Sequence, residues 1–227
     1  MVANGSTSGM QRATYPVCEQ FISLQGEGLS LGRKSCFIRL AGCNLSCAFC
    51  DTAYARDVGS TPHLDVPTIL RAVPRKMPIV ITGGEPMLYD LEPLLRGIYG
   101  REGRNSIIEI ETNGTIFTPY YHVQFIVSPK LDFPQSYKRQ VIKAFEEHGA
   151  IFKFVIRDRA DFEHVMDIHD DLWLSEIVLM PEGTTAKGII RRSRDIALWM
   201  CAEERDLRNV RLIPRLHTLL WGATRGR

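Results

Sequence analysis

Cys43, Cys47 and Cys50 stand within eight residues of one another in the spacing CxxxCxxC. A compact loop with that spacing can wrap three thiolates around one face of a metal cluster. An ordinary [4Fe–4S] centre takes four thiolates, so three leave one iron with an open position for a small chelating ligand. A structural zinc ion is the competing occupant; it needs a fourth Cys or His, and Cys36 and His63 are nearest along the chain. Disulfides are the poorer use of six cysteines when three lie this close together. Cys18, Cys36 and Cys201 are scattered, and each is expected to be a small buried apolar side chain. Phe49, inside the loop, offers either a flat face to a planar ligand or packing for the loop itself.

Three further segments carry chemically capable residues. Thr82-Gly83-Gly84-Glu85-Pro86 sets two glycines before a proline. Glycine allows close approach and unusual dihedrals, which would present backbone carbonyls and the Glu85 carboxylate to an ammonium group, while Pro86 begins the next helix. Glu111-Thr112-Asn113-Gly114 offers a carboxylate and an amide to sugar hydroxyls, or else forms an Asx-type turn with glycine in positive φ. Ser128-Pro129-Lys130 sets a hydroxyl and an ammonium where a carboxylate ligand would need them, or simply ends a strand.

Each of these segments follows at once on a short apolar run. The runs 35–40, 78–81, 107–110, 125–127, 151–156, 177–180 and 210–213 read as strands. Stretches with helical spacing, 91–99, 137–148, 161–168 and 187–202, fall between several of them, which predicts an α/β fold with a largely parallel sheet. Ligands of such sheets bind at the carboxyl ends of the strands, so the capable segments should converge on one rim as a single composite site. The chain has 227 residues, 44% of them hydrophobic and 24% charged, enough for one sizeable core. One domain is expected over residues 14–227, after residues 1–13, which read as a disordered extension or a remnant of expression. A net charge of +2 gives no general pull towards nucleic acid or anionic lipid. No apolar run approaches the roughly 20 residues that span a bilayer, and the polar start lacks a signal peptide's apolar core, so a cytoplasmic protein is expected.

A CxxxCxxC loop followed about forty residues later by strand-borne Gly-Gly-Glu-Pro resembles the radical S-adenosylmethionine (SAM) superfamily. That resemblance implies a partial, open (β/α) TIM-like barrel, a [4Fe–4S] cluster on Cys43, Cys47 and Cys50, and SAM chelating the open iron. One-electron reduction would then cleave a carbon–sulfur bond of SAM and yield a 5′-deoxyadenosyl radical. Within the superfamily the chain resembles the 7-carboxy-7-deazaguanine synthase family, from about Glu19 to Gly226. The marks are residues 21–28 (Phe-Ile-Ser-Leu-Gln-Gly-Glu-Gly), Phe37-Ile38-Arg39, Cys50-Asp51-Thr52, the three segments above, and residues 216–222 (Leu-His-Thr-Leu-Leu-Trp-Gly).

The resemblance implies a carbon–nitrogen lyase that converts 6-carboxy-5,6,7,8-tetrahydropterin to 7-carboxy-7-deazaguanine with loss of ammonia, in 7-deazapurine (preQ0/queuosine-type) biosynthesis. It implies that SAM is regenerated, that Mg²⁺ coordinates the substrate carboxylate, that an electron donor such as flavodoxin serves the cluster, and that the chain forms a homodimer. By the same resemblance Phe49, Asp51, Gly84, Glu111, Ser128, Pro129 and Lys130 meet the cofactor. Leu24, Gln25, Gly26, Arg39 and Thr82 meet the substrate, with Gln25 and exposed backbone facing the heterocycle and the Arg39 fork on the carboxylate. Thr52 ligates Mg²⁺. The ordinary alternatives are a strand-end charge for Arg39, a helix N-cap for Thr52 and a turn residue for Gln25. The chain departs from the family pattern at Arg215, where many members carry Gln, and in continuing past Trp221. A glycyl-radical activase with the same cysteine spacing and a non-catalytic zinc adaptor of β/α fold are the rival readings.

Overall fold

The computed structural model describes residues 13–222 and 224–226. The expected extension therefore lies, over residues 1–12, outside the described residues. In chain order the elements are β1 (Thr14–Leu24), β2 (Lys34–Leu40), β3 (His63–Asp65), α1 (Val66–Arg71), β4 (Ile79–Gly83), α2 (Glu92–Glu102), β5 (Ile108–Thr112) and β6 (Gln124–Val127). They continue with α3 (Arg139–Glu147), β7 (Ile151–Ile156), α4 (Arg159–Leu172), β8 (Ile177–Pro181), α5 (Ala186–Ala202), β9 (Val210–Leu212) and α6 (Leu216–Trp221). One sheet runs in the order β3-β1-β2-β4-β5-β6-β7-β8-β9. From β2 to β9 the neighbours are parallel, while β1 is antiparallel to both β2 and β3. Its two ends, β3 and β9, do not pair, so the barrel stays open, as expected.

Alternation along the strands divides the sheet into two chemical faces. Cys36, Ile38 and Leu40 of β2, Ile79 and Ile81 of β4, Ile108 and Ile110 of β5, and Phe152, Phe154 and Ile156 of β7 belong to one large apolar cluster. The helices close that cluster with Leu94, Leu95 and Ile98 of α2, Phe145 of α3, and Phe162, Val165 and Met166 of α4. The opposite parity holds Arg39, Thr82, Glu109, Glu111 and Lys153, together with a small apolar cluster of Ile126, Ile151 and Val178 on which Ile213 packs. α4 and α5 are entered through side-chain caps, the Asp158 carboxylate accepting from the Asp161 N–H and the Thr185 hydroxyl from the Gly188 N–H.

Two corrections concern elements. β1 was absent from the strand expectations because Pro16, Glu19 and Gln20 interrupt its apolar run, and a register shift between Val17 and Glu19 breaks the alternation further. β3 and α6 have three and six residues, too short for periodicity to show.

The turn after β4 is locked against its neighbours. Gly84 N–H donates to Leu40 O at 2.9 Å and Glu85 N–H to Gly42 O at 2.7 Å. A Cβ on Gly84 would overlap the Gly42 carbonyl, which is why only glycine serves there. Glu85 is fully buried and accepts from Met87 N–H (2.9 Å), Asn113 N–H (2.6 Å) and the Thr112 hydroxyl (2.8 Å). Its carboxylate is thus a latch between the β4 and β5 turns and does not reach a ligand's ammonium group, contrary to expectation. Glu85→Ala orphans three buried donors and should cost roughly 2–4 kcal/mol. Thermal unfolding of the metal-free protein should show a midpoint lower by on the order of 10 °C; an unchanged midpoint would remove the latch.

Candidate active site

The carboxyl ends of the parallel strands surround one cavity of about 290 Å³. Cys43, Cys47 and Cys50 all line it, beside Phe49, Asp51 and Thr52. The loop that carries them is held from two sides by hydrogen bonds. Gly42 N–H donates to Ala55 O and Cys43 N–H to Arg56 O, at 2.9 and 3.0 Å. Asn44 Oδ1 accepts from Asn113 Nδ2 at 2.9 Å, and the Asn44 amide donates to the Thr115 hydroxyl at 2.8 Å. Asn113 Oδ1 also accepts from Thr115 N–H at 3.0 Å, the Asx turn that was the alternative for this segment.

The donor set suits an iron–sulfur cluster better than zinc. Among the described residues the only group of three ligand atoms within 4.8 Å of one another is Glu27, Asp51 and His217. The three thiols are therefore spread wider than the sphere of one zinc ion, whose bonds of about 2.3 Å hold any two sulfurs within about 4.6 Å. Cys36 is buried in the helix-facing core and His63 is exposed on β3; neither lines the cavity. Burial pushes the Cys43 and Cys47 thiols up, with Lys130 drawing Cys47 back down. Of the other cysteines, Cys36 is buried as expected, Cys18 is half-buried and Cys201 is exposed near the end of α5, a correction for that residue.

Around the cysteines the remaining expected residues fall into groups. Gly84, Ser128 and Lys130 line the cavity; Pro129 does not. Lys130 Nζ donates to Ser128 Oγ at 2.7 Å, and burial together with nearby Lys153 lowers its proton affinity. Phe49 faces the guanidinium of Arg157 at 5.5 Å, and Arg157 is held by Asp132 and Asp161 through bonds of 2.7–2.9 Å. Thr52 stands at the start of a short 3₁₀ turn but makes no capping bond, leaving its hydroxyl 3.8 Å from Cys50 Sγ.

Deeper in, register sets a row across four strands. Glu19 of β1 pairs with Arg39 of β2, which pairs with Thr82 of β4, one step beyond which Glu111 of β5 lies opposite. Arg39 Nε meets Glu19 at 3.1 Å within the cavity wall, so it is no strand-end surface charge. Glu111 accepts from Thr82 Oγ1 at 2.8 Å and from Gln25 Nε2 at 3.0 Å. The backbone of Gln25 is not exposed as expected: its N–H donates to Arg33 O and its C=O accepts from Gly32 N–H, both at 2.8 Å. Gly26 O likewise accepts from Leu216 N–H at 2.9 Å, and the His217 ring lies where a Gly26 Cβ would be. In this segment the Gln25 side-chain amide is what remains for a ligand.

Sequence reasoning passed over several cavity groups. Lys153 pairs with Glu27, and Arg215 bridges Glu27 at 3.4 Å and Asp51 at 3.1 Å. Burial would raise the Glu27 carboxyl, yet Lys153, Arg215 and His217 hold it well below the usual range. These two cations neutralise the Glu27–Asp51–His217 group, which is an ion-pair network rather than a cation site. Arg225 meets Glu19 at 2.9 Å and lies 3.8 Å over the Tyr54 ring, carrying the C-terminal segment across the cavity mouth. The sign in the sequence was parity: a Lys at 153 within an otherwise apolar strand must face away from the core.

An open parallel barrel whose β2 runs into a CxxxCxxC loop, with Gly-Gly-Glu-Pro on the adjoining strand, is the build of a radical SAM enzyme. No family model matches the chain. Comparison with known proteins finds the 7-carboxy-7-deazaguanine synthase of Pyrobaculum aerophilum 32% identical over 93% of this chain and 96% of that protein. The enzyme of the same name from Hyperthermus butylicus is 38% identical over 67% of this chain and 68% of that one. Among solved structures, QueE from Escherichia coli superposes with a TM-score of 0.70 at 25% identity, covering 90% of this chain and 95% of that one. Streptococcus suis SuiB shares the fold, with a TM-score of 0.56 at 16% identity over 81% of this chain and 49% of that one. The chain belongs to the 7-carboxy-7-deazaguanine synthase family. No helix among the described residues is long and apolar enough to cross a membrane.

From the position of the thiols, Cys43→Ala, Cys47→Ala and Cys50→Ala should each lose cluster iron after anaerobic reconstitution, and Cys18→Ala, Cys36→Ala and Cys201→Ala should keep it. Iron and sulfide analysis reads the outcome; loss of iron from Cys36→Ala as complete as from Cys47→Ala would indicate a four-thiolate site.

Proposed function

We propose that this chain converts 6-carboxy-5,6,7,8-tetrahydropterin to 7-carboxy-7-deazaguanine with loss of ammonia, in 7-deazapurine biosynthesis. The observation that carries the reading is that Arg39, Thr82, Glu111 and Gln25 share one cavity with the three cysteines. Hydrogen-bond acceptors for an N–H-rich heterocycle and a guanidinium for its carboxylate stand beside the three cysteines that would hold the cluster. A [4Fe–4S] cluster on Cys43, Cys47 and Cys50 with SAM supplies, when bound, a 5′-deoxyadenosyl radical by one-electron cleavage.

The chain's own residues then bind and orient. Lys130 and Ser128 would receive the carboxylate of SAM, Gly84 would let its amino-acid moiety approach the backbone, and Phe49, steadied by Arg157, would offer its face to the adenine. Asp51 belongs to the cofactor side as well, tied to Arg215. Glu111 moves to the substrate side, because its partners are Gln25 and Thr82. Leu24 and Gly26 complete that wall. Arg39 keeps two guanidinium nitrogens for the substrate carboxylate while Glu19 holds its Nε. Thr52, uncapped and next to Cys50, would hold Mg²⁺ through its hydroxyl, and the ion would supply positive charge for the substrate carboxylate. In the same reading the chain works in the cytoplasm, takes its electron from a donor such as flavodoxin, and forms a homodimer.

Anaerobic turnover with carboxytetrahydropterin, SAM, Mg²⁺ and a reductant tests the whole. Formation of 7-carboxy-7-deazaguanine is expected; 5′-deoxyadenosine without it would favour an activase acting on another protein. Arg39→Lys keeps the charge and loses the fork, so substrate binding should weaken by about 1–3 kcal/mol while SAM binding holds. Equal affinity for the pterin in an anaerobic titration would place Arg39 outside the pocket. Thr52→Ala should keep the cluster and reductive SAM cleavage but lose most of the stimulation of ring contraction by Mg²⁺. The two products, measured in parallel with and without Mg²⁺, decide it.

A further inference from the structure

Glu109 is a buried carboxylate that no step above uses. It lies two residues before Glu111 on the same face of β5, it does not line the cavity, and among the described residues it has no ion-pair partner. One oxygen accepts from Gln25 Nε2 at 3.2 Å and the other from the Ser30 hydroxyl. Gln25 Nε2 also donates to Glu111 at 3.0 Å. The oxygen and nitrogen of an amide are alike in shape, so the partners decide which way it points. Carboxylate oxygens accept, and an amide oxygen turned towards two of them would place lone pairs against lone pairs. Gln25 must therefore direct its nitrogen at Glu109 and Glu111, and among the described residues nothing donates to its oxygen. Thr82 is fixed in the same sense, since its single proton goes to Glu111 at 2.8 Å.

We propose that Glu109 is a positioning residue: by holding the Gln25 amide nitrogen it turns Gln25, beside Thr82 and Glu111, into a floor that presents acceptors only. A floor of that kind selects a ligand edge made of N–H donors and rejects one that carries bare nitrogen lone pairs. Resting on the proposed function, this gives the site a means of telling a reduced pterin from an oxidised one. The tetrahydropterin ring has N–H groups at positions 5 and 8, where the fully oxidised ring has unprotonated nitrogens. An acceptor facing either of those positions pairs with the first ligand and opposes the second.

The test is anaerobic calorimetric titration of the cluster-loaded protein, with SAM present, using 6-carboxy-5,6,7,8-tetrahydropterin and fully oxidised 6-carboxypterin. Glu109→Gln is nearly isosteric and can face Gln25 with either atom of its own amide, so that of the two carboxylates only Glu111 is left to fix the Gln25 amide. The ratio of reduced to oxidised affinity should fall by about tenfold, because a mismatched polar group in a closed site costs about that much. KM for the reduced substrate should rise more than kcat falls, with iron content and SAM affinity at the wild-type level. A folded, cluster-loaded Glu109→Gln that keeps the wild-type ratio overturns the proposal. Should that variant fail to fold, Gln25→Met, which removes the amide at similar length, must lower the ratio equally, and an unchanged ratio there overturns it as well. A wild-type chain that binds neither pterin defeats the functional reading itself, an outcome distinct from an unchanged ratio.

Discussion

The close contact of the turns after β2 and β4 is the constraint on which the rest of this structure depends. Gly84 N–H reaches Leu40 O and Glu85 N–H reaches Gly42 O, at distances that leave no room for a side chain on Gly84. The cysteine loop begins at that contact. Glu85 extends it to β5 through Asn113 and Thr112, and Asn113 returns to the loop through Asn44. The loop is thus gripped at its start and across its middle by neighbouring strands, which set its three thiols on the wall of one cavity. Such preorganisation lowers the ordering cost of taking up a cluster.

Burial of charge is the second constraint, and it follows from the first. Turning one face of a parallel sheet into a site removes Arg39, Lys130, Lys153, Arg215, Glu27 and Glu111 from bulk water, where unpaired ions are costly. The structure answers by pairing across elements that are distant in sequence. Glu27 meets Lys153 and Arg215, Glu19 meets Arg39 and Arg225, and Asp51 meets Arg215. Through these pairs the loop after β1, the end of the cysteine loop and the C-terminal residues 224–226 become one wall. Breaking one partner leaves the other buried and charged, so each pair couples the shape of the site to its electrostatics.

Much of this was legible in the sequence, for a physical reason. Parallel strands buried by helices read as apolar runs, and β2 and β4 to β9 all showed; the ligand-bearing turns follow them directly. The cysteine spacing and the glycines of the β4 turn are local, so their chemistry could be read without a fold. What escaped was non-local or masked. β1 carries Glu19 towards the site and a register shift, so neither of the two periodicities marks it. Glu85 looked like a ligand because its neighbours are, but hydrogen bonds to a turn 27 and 28 residues away close it off. Glu111, expected to face a sugar, has Gln25, 86 residues earlier, beside it, a neighbour that no local pattern could show. Arg215 was visible only as a departure from a pattern, and nothing local could say that Glu27 and Asp51 would receive it.

The resulting cavity is divided by function as well as by charge. Its rim, with the cysteines, Phe49, Ser128 and Lys130, contains the groups suited to a cluster and a sulfonium cofactor. Its depth, with Arg39, Thr82, Glu111 and Gln25, contains a guanidinium, a hydroxyl, a carboxylate and an amide, groups suited to binding and orienting a polar ligand. Ring contraction through carbon-centred radicals needs little acid or base from the protein but strict control of which hydrogen is presented. Acceptors fixed on one side and a guanidinium on the other give a planar, polar molecule one orientation. In the proposed reaction that orientation would be the fold's contribution beyond the cluster and its cofactor.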